Sequence, residues 1–172
     1  KSNIPLLFIH NTTGFMVGKK HEQNGMINAG SQLVHAVAGS TVPHISLQVG
    51  NSYGAGNYAM CGRSFNPRFL FSYPNSKSGV MGADQLAGVM EIVKRKSAES
   101  LNKAIDEKLL LEEKHILAEQ AEKKASVWHT TSEVWDDGVI DPRDTRKYLS
   151  MALSAVYNNI IKGTDSFGVF RM

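Results

Sequence analysis

The sequence predicts an α/β protein in which short strands alternate with helices. Apolar runs of strand length recur along the first half of the chain, stretches with helical spacing lie between them, and glycine-rich turns separate the elements. With 172 residues, 42% of them hydrophobic, the chain is long enough for one domain with a real core and too short for two ordinary ones. We therefore expect one domain over residues 1–172, and the start at Lys1 without an initiator Met predicts a piece of a longer polypeptide.

The first elements are predicted in chain order from the spacing of their apolar residues. Residues 4–9 form a short apolar run that is typical of a buried strand. Apolar positions then recur at helical spacing over residues 22–38, and Gly39 is expected to close that helix because glycine tolerates a positive φ. Residues 42–50 predict the next strand, which ends in a glycine-rich turn over residues 51–56.

The rest of the chain predicts further strands and three or four helices. The expected elements are a short helix over 57–63, strands over 69–73 and 78–81, and a helix from about Ala83. Residues 84–125 hold nine acidic and eight basic side chains, which predicts one or two solvated helices with charges paired at i,i+4 spacing and leaves open a partner-binding helix. Asp141 and Pro142 predict the start of a last helix that runs to Val156.

Composition excludes several classes of protein. Cys61 is the only cysteine, so no disulfide framework is expected, and the chain either belongs in a reducing compartment or does not depend on redox state. The longest apolar runs are far shorter than the roughly 20 residues that span a bilayer, so no membrane partner is expected. A net charge of +3 without a clustered basic face does not predict nucleic-acid binding.

Side chains that could carry chemistry form no convincing set. A G-x-S-x-G sequence surrounds Ser52, as in the nucleophile elbow of a serine hydrolase, but only His115 and His129 follow it, both away from any predicted strand end. No two histidines have i,i+4 spacing and no cysteine pair exists, so no metal site is predicted. Asp136 and Asp137 could form an acid/base pair, but adjacent carboxylates before a glycine are more typical of a turn.

Backbone groups offer a better candidate site. Gly54, Ala55 and Gly56 follow a predicted strand and open a helix, whose first N–H groups have no partner within the helix. Such groups attract negative charge, and two of them directed at one oxygen form an oxyanion hole. The alternative is a tight turn that only packs against a neighbour. A second glycine-bracketed loop over residues 14–18 is suited to line an apolar pocket.

Several long motifs resemble the carboxyltransferase subunits of biotin-dependent acyl-CoA carboxylases. The matching stretches are residues 11–18, 52–58, 60–63, 67–69, 74–75, 80–82, 135–142, 145–146 and 167–172. The resemblance covers nearly the whole chain except about residues 92–125. It implies a crotonase-like fold, a spiral of ββα units, and the C-terminal half of such a subunit.

The resemblance also implies an activity. It predicts a carboxyltransferase domain that moves CO₂ from carboxybiotin to an acyl-CoA, here 3-methylcrotonyl-CoA on the leucine degradation route. Asn51 and Ala83 stand where the family more often has glycine, so geranyl-CoA, propionyl-CoA or another acyl-CoA remains an alternative. From other classes, a non-catalytic crotonase-like assembly module and a serine hydrolase built on Ser52 also remain open.

Functional residues follow from the same resemblance. The amides of Ala55 and Gly56 match the pair that holds the biotin ureido oxygen, and Tyr58 matches a position that tunes the choice of acyl group. The biotin pocket is expected to be lined by Gly14, Phe15, Met16, Val17, Gly18, Tyr53 and Gly54. No metal is expected in this domain.

Partners and compartment are also implied by the resemblance. The expected partners are an acyl-CoA, the N-terminal half of a neighbouring subunit, a biotin carboxylase with a biotin carrier subunit, and further copies in a hexamer. Biotin would arrive as carboxybiotin on the carrier, and the chain alone would be catalytically incomplete. The expected location is the mitochondrial matrix in a eukaryote and the cytoplasm in a bacterium.

Overall fold

The computed structural model describes residues 1–169 and is built on a parallel sheet. The end of the 167–172 motif therefore lies outside the described residues. The strands are β1 (Leu6–Thr12), β2 (His44–Tyr53), β3 (Phe69–Ser72), β4 (Lys77–Gly79) and β5 (Gly138–Val139). The α-helices are α1 (Lys19–Gln23), α2 (Met26–Gly39), α3 (Gly54–Ala59), α4 (Ala83–Ser100), α5 (Glu107–Ala125), α6 (Val127–Ser132) and α7 (Thr145–Val156). Short 3₁₀ turns occur at Arg63–Phe65 and Pro142–Asp144.

Strand β2 is the centre of the sheet. It pairs in parallel with β1 on one side and β3 on the other, while β4 extends the ladder beside the last three residues of β2. Strand β5 pairs with β3, which gives the order β1-β2-β3-β5. Parallel neighbours need a crossover connection, and helices lie between β1 and β2, between β2 and β3, and between β4 and β5. The carboxyl ends of the parallel strands meet at one edge.

The two faces of β2 bury different chemistry. On one face Ile45 and Leu47 pack with Phe71 of β3 and with Ala152 of α7, which forms the hydrophobic core. Alternate residues on the other face are polar and buried; they include Ser46, Gln48 and Ser52 of β2, His10 of β1 and Ser72 of β3. Since buried polar atoms need partners, this second face is held by specific hydrogen bonds.

The prediction that the first strand is buried is wrong. Leu7 and Ile9 are about half exposed, at 46% and 53%, although they share a sheet face with the core residues Ile45 and Leu47. Helix α7 packs on the β3 side of that face, where the ring of Tyr148 contacts Phe71. Strand β1 lies at the edge of the described sheet, so its apolar side chains stay uncovered within residues 1–169.

The predicted helix over residues 22–38 is divided in two. Gly25 has a φ of 83° and separates α1 from α2, so the left-handed residue lies before the long helix and not after it. Gly39 is the last residue of α2 and does not have a positive φ. Its lack of a side chain instead admits Phe167, whose ring would lie 3.2 Å from a Cβ at Gly39.

Strand β2 also runs further than expected. The first half of the turn predicted over residues 51–56 is strand, because β4 pairs with residues 51–53 and continues the ladder to Tyr53. Helix α3 then begins at Gly54, not at residue 57. The predicted strands at 69–73 and 78–81 and the helix from Ala83 are present, with ends shifted by at most two residues.

The charged segment forms two helices, α4 and α5, that pack as a hairpin. The i,i+4 pairs Glu91–Arg95 and Glu119–Lys123 agree with the sequence pattern. Other pairs join the two helices, including Arg95 with Glu107 and Lys114 with Glu91. Within residues 1–169 no helix is long and apolar enough to cross a bilayer.

The last helix begins one turn later than its capping signal. Asp141 accepts a hydrogen bond from the Arg143 N–H at 2.8 Å, but this caps the 3₁₀ turn Pro142–Asp144. Helix α7 follows directly from Thr145 to Val156. The predicted end at Val156 is confirmed, whereas the Asp-Pro signal marks the 3₁₀ turn and not the start of the helix itself.

Candidate functional site

The chain turns from strand β2 into helix α3 at a single residue. Gly54 has a φ of 52°, and a Cβ placed on it would lie 2.8 Å from the backbone carbonyl oxygen of Val80. Both the left-handed backbone and this contact require glycine. As a result α3 starts directly at the carboxyl end of the central strand.

The first amides of α3 are available as hydrogen-bond donors. No side chain caps the helix, and within residues 1–169 no acceptor binds the N–H of Ala55 or Gly56. Ala55 is exposed, whereas Gly56 is buried against the end of β1. A Cβ on Gly56 would lie 3.0 Å from the Gly14 Cα and 3.1 Å from the Thr12 Cγ2. Gly56 is therefore packed against β1 and lines no part of the neighbouring cavity, although its N–H, like that of Ala55, has no acceptor within residues 1–169.

A cavity of about 780 Å³ opens beside the start of α3, at the carboxyl ends of β2, β3 and β4. Its walls are mainly apolar and include Val34, Leu70, Val80 and Trp135. Among the residues predicted to form the site, Gly54, Ala55 and Tyr58 line it. The Tyr58 ring is half exposed and meets Phe65 edge-to-face with centroids 5.9 Å apart.

Tyr53 belongs to a different cavity. It lines a polar cleft of about 770 Å³ between β4 and α5, together with Thr13, Lys77 and Glu122. Burial raises the pKa of the Tyr53 phenol, and the Glu122 carboxylate acts in the same direction. Tyr53 and Gly54 were both predicted to line one pocket, but the structure separates them because the chain reverses between these two residues.

The loop over residues 14–18 contacts the site only at its first residue. Gly14 and Gly18 both have positive φ values, of 118° and 115°, and the Gly14 N–H donates to Thr12 Oγ1 at 3.2 Å. The Phe15 ring lies against Gly30 of α2. Met16 and Val17 are 63% and 85% exposed, and neither lines either cavity. Gly14 alone is therefore brought to the start of α3.

A buried polar network beside α3 was missed in the sequence. Ser52 Oγ lies 2.8 Å from His10 Nδ1 and accepts a hydrogen bond from Asn57 Nδ2 at 2.9 Å. His10 and Ser52 have no exposed surface. The sequence order expected of a serine hydrolase points only to histidines that follow Ser52. His10 lies earlier in the chain, on the parallel strand beside Ser52. The signal was present, because two adjacent strands place residues far apart in sequence next to each other.

This network does not have the geometry of a nucleophile elbow. In an elbow the serine occupies the strained turn and its hydroxyl is accessible, but here the positive φ is at Gly54 and Ser52 is fully buried. Burial lowers the pKa of His10 from 6.5 to about 4, and a backbone contact with Met60 opposes this shift only in part. His10 is consequently neutral at pH 7.

Other candidate side chains have structural partners. Cys61 is fully buried, which raises the pKa of its thiol to about 11, and its Sγ lies 3.3 Å from His44 Nδ1. Asp137 accepts a hydrogen bond from the Leu70 N–H at 2.7 Å, which ties the turn before β5 to β3. Asp136 is buried and accepts from Thr131 Oγ1 at 2.9 Å. In the part of the chain that the structure describes, no cluster of three or more His, Cys, Asp or Glu could hold a metal ion.

Comparison with protein families gives one match over nearly the whole chain. Residues 1–169 match the carboxyl transferase domain. A probable biotin-dependent acyl-coenzyme A carboxylase beta2 subunit of Mycobacterium tuberculosis is 53% identical over 172 residues, which are all of this chain and 32% of that protein. The mitochondrial methylcrotonoyl-CoA carboxylase beta chain of Dictyostelium discoideum is 44% identical over 98% of this chain and 29% of its own length.

Solved structures agree with the family match. The geranyl-CoA carboxylase beta subunit of P. aeruginosa superposes with a TM-score of 0.81 at 44% identity, over 97% of this chain and 32% of that one. A transcarboxylase 12S structure, described as a hexamer assembly with substrate bound, has a TM-score of 0.77 at 26% identity, over 99% of this chain and 31% of that one. The expected crotonase-like α/β fold is confirmed, and the chain spans about a third of the length of these relatives.

Gly54 provides a direct test of the turn that creates the site. We expect Gly54→Ala to lower the free energy of unfolding by about 2 kcal/mol or more, because alanine adds the left-handed backbone penalty and a contact with the Val80 carbonyl oxygen. Gly88→Ala is the matched control, since Gly88 lies inside α4 with no atom within 4 Å of its Cβ position. That change should stabilise by about 0.5–1 kcal/mol in urea unfolding. Equal effects of the two changes would contradict the assigned turn.

His10 makes the stability of the chain depend on pH. Its pKa is about 4 in the fold against 6.5 when unfolded, so between these values the unfolded chain binds a proton that the folded chain does not. Stability is therefore full above pH 6.5 and falls as the pH drops toward 4. From pH 7 to 4.5 we expect roughly 2 kcal/mol of loss from this residue.

Urea unfolding of the wild type and His10→Asn at both pH values measures this contribution. The variant should lose roughly 2 kcal/mol less than the wild type over this pH range. A change at the exposed His115 to Asn serves as the control and should leave the loss unchanged. If His10→Asn shows the same loss as the wild type, His10 is not the buried neutral group described here.

Proposed function

Because this chain belongs to the carboxyl transferase domain family, we propose that it is the carboxyltransferase part of a biotin-dependent acyl-CoA carboxylase. The observation that carries the proposal is the pair of free N–H groups at Ala55 and Gly56, which open α3 beside a large apolar cavity. In this role the amides hold the ureido oxygen of biotin. The neighbouring apolar walls keep water away from the reacting groups.

The residues present fit a biotin head group. A ureido oxygen is a hydrogen-bond acceptor, and the start of α3 presents donors that do not depend on pH. The adjoining cavity, at about 780 Å³, is within the usual range for a small-molecule site, and its walls are mainly apolar. A bicyclic ring with one polar edge matches a cavity with these properties.

The chain contributes position and electrostatics. Carboxybiotin, when bound here, would supply the carboxyl group that is transferred and would present a negatively charged ureido oxygen to the amides. The Ala55 and Gly56 N–H groups stabilise this charge, and one donor of this kind contributes about 3 kcal/mol. Gly54 fixes where the two donors start, and the dipole of α3 adds to the same field. The donors are preorganised because the backbone has no alternative partner for them.

We propose 3-methylcrotonyl-CoA as the acyl substrate. Methylcrotonoyl-CoA carboxylase beta chains of three eukaryotes are 44–46% identical to this chain, and the geranyl-CoA carboxylase beta subunit is 44% identical, so identity alone does not choose between them. Geranyl-CoA, propionyl-CoA or another acyl-CoA is the alternative. Tyr58 is proposed to influence this choice because its exposed ring forms part of the cavity wall.

The complete enzyme is proposed to need parts beyond this chain. These are the N-terminal half of a neighbouring subunit, a biotin carboxylase with its biotin carrier, and further subunits in a hexamer. The length of the relatives supports the first of these, since this chain covers 29–32% of the curated relatives described above. The location is proposed to be the mitochondrial matrix in a eukaryote and the cytoplasm in a bacterium.

A non-catalytic assembly module is the rival, and the burial of Gly56 against Thr12 and Gly14 is the observation that favours it. A bulky residue at Gly56 would therefore disturb packing and function together. Ala55→Pro is a sharper test, because proline removes one N–H in the first turn of a helix, where it is tolerated, at an exposed position. Ala55→Ser is the matched control that keeps the N–H.

In the complete carboxylase we expect Ala55→Pro to lower kcat by about 100-fold or more, with an unchanged oligomeric state and thermal unfolding midpoint. Ala55→Ser should stay within about threefold of the wild type. Steady-state carboxylation of the acyl-CoA measures both. Full activity of a correctly assembled Ala55→Pro enzyme would support the assembly module instead.

The acyl group is tested by comparing kcat/KM of the complete enzyme for 3-methylcrotonyl-, geranyl- and propionyl-CoA. We expect the first to be preferred, and a clear preference for either of the others would refute this part of the proposal. Tyr58→Ala should change the ratio between the acyl groups by about tenfold, since it removes part of the cavity wall. Tyr157→Ala, at a similarly exposed tyrosine that follows α7, is the control and should not change the ratio.

A further inference from the structure

Three polar side chains beside the candidate site, two of them fully buried and one half-buried at the cavity wall, have no assigned role in the proposed chemistry. His10 is on β1, Ser52 is on β2 and Asn57 is on α3. Ser52 Oγ is the centre of this network, 2.8 Å from His10 Nδ1 and 2.9 Å from Asn57 Nδ2. The Ser52 carbonyl oxygen also accepts a hydrogen bond from Ser78 Oγ at 3.2 Å. We refer to His10, Ser52 and Asn57 as the buried network.

An irregularity in the sheet brings the network together. His10 pairs with Gln48, but Thr12 pairs with Ser52, so two extra residues of β2 are accommodated opposite Asn11. The Asn11 side chain fills the bulge and accepts a hydrogen bond from the Asn51 N–H at 3.3 Å. Without this shift Ser52 would lie opposite Gly14 instead of Thr12. It would then be two residues further from His10 and out of its reach. Bulges of this kind commonly redirect a side chain near a functional site.

The network joins the three elements that meet at the amide pair. Strand β1 continues from His10 to Thr12 and Gly14, which pack directly against Gly56. Strand β2 continues from Ser52 through Tyr53 into the turn at Gly54. Asn57 lies on α3 itself, directly after Gly56. A displacement of any one element would therefore stretch a hydrogen bond of the buried network.

Stability alone gives no reason for polar groups at this place. Buried polar atoms are expensive unless they are paired, and apolar residues of similar volume pack at least as well in most cores. In this network His10 pairs with Ser52 through Nδ1, while its Nε2 has no hydrogen-bond partner within residues 1–169. What the paired atoms add is a single defined geometry. That property is valuable where a small displacement of two hydrogen-bond donors weakens the stabilisation of an oxyanion.

We propose that the buried network is a positioning device, in which His10 and Asn57, through Ser52, hold the start of α3 so that the Ala55 and Gly56 amides point at the bound oxyanion. This inference rests on the proposed function. His10 and Ser52 have no exposed surface, so neither touches the reacting groups, and Asn57 at the cavity wall is assigned its role through its bond to Ser52. They are positioning residues and not catalytic ones.

The test uses the complete carboxylase and two substitutions at His10. His10→Leu removes the partner of Ser52 while it keeps much of the volume. His10→Asn keeps an amide group close to the place of Nδ1, so it can still pair with Ser52 Oγ. We expect His10→Leu to lower kcat, or to raise KM for the carboxylated biotin carrier, by about tenfold or more, with KM for the acyl-CoA within about twofold. His10→Asn should recover the rate to within about threefold of the wild type.

His44→Leu is the matched control for the loss of a buried imidazole. His44 is buried at the opposite end of β2, where its Nδ1 contacts Cys61 Sγ. It should lower the thermal unfolding midpoint without changing KM for the carrier. If His10→Leu fails to fold, Asn57→Asp takes its place in the test. This change removes the Nδ2 donor to Ser52 with almost no change of shape.

Each outcome decides the proposal. It is overturned if folded His10→Leu, or Asn57→Asp in its place, keeps wild-type kcat and KM, if His10→Asn does not restore the rate, or if His44→Leu changes KM for the carrier equally. These results are distinct from failure of the proposed function. If the proposed function is wrong, the wild-type enzyme transfers no carboxyl group to any acyl-CoA, and there is no rate against which to compare the variants.

Discussion

The central strand must become a helix within one residue, and this constraint determines the rest of the site. The Val80 carbonyl oxygen occupies the place of a Cβ at residue 54, so only glycine can occupy the turn. Because the reversal is so short, α3 starts at the edge of the sheet with its first amides uncapped. The same edge collects the carboxyl ends of the other parallel strands, and the apolar cavity opens there because their loops diverge.

The site contributes backbone hydrogen-bond donors, and the Asp136 carboxylate that lines the cavity accepts a hydrogen bond from Thr131 Oγ1. The buried imidazole and thiol nearby do not serve as bases at pH 7. His10 is held neutral by burial, with a pKa of about 4, and Cys61 stays protonated, with a pKa of about 11. Both are buried and oriented toward partners within the fold. Backbone donors fit a reaction in which the reactive groups arrive on the cofactor and on the acyl-CoA, since their strength is set by geometry and not by pH.

Sequence patterns predicted the order of elements well, since apolar spacing and glycines are local signals. They failed where the outcome depends on residues distant in sequence. The exposure of Leu7 depends on how far α7 reaches across the sheet, and the pairing of His10 with Ser52 depends on which strands are neighbours. Tyr53 and Gly54 line different cavities because the backbone turns from strand into helix between them, where Gly54 has a φ of 52°. The sequence did not reveal this, because the whole glycine-rich stretch over residues 51–56 was interpreted as one turn.

Packing and function are not alternatives at Gly56. Its Cα is pressed against Thr12 and Gly14, so the absence of a side chain is explained by packing alone, yet its N–H remains without an acceptor. The contact has a consequence for the donors, because it makes the end of β1 a support on which α3 rests. The buried network then fixes β1 to β2 two residues before this contact. The amide pair is thus located by two strands together, and neither strand alone would define the direction in which the donors point.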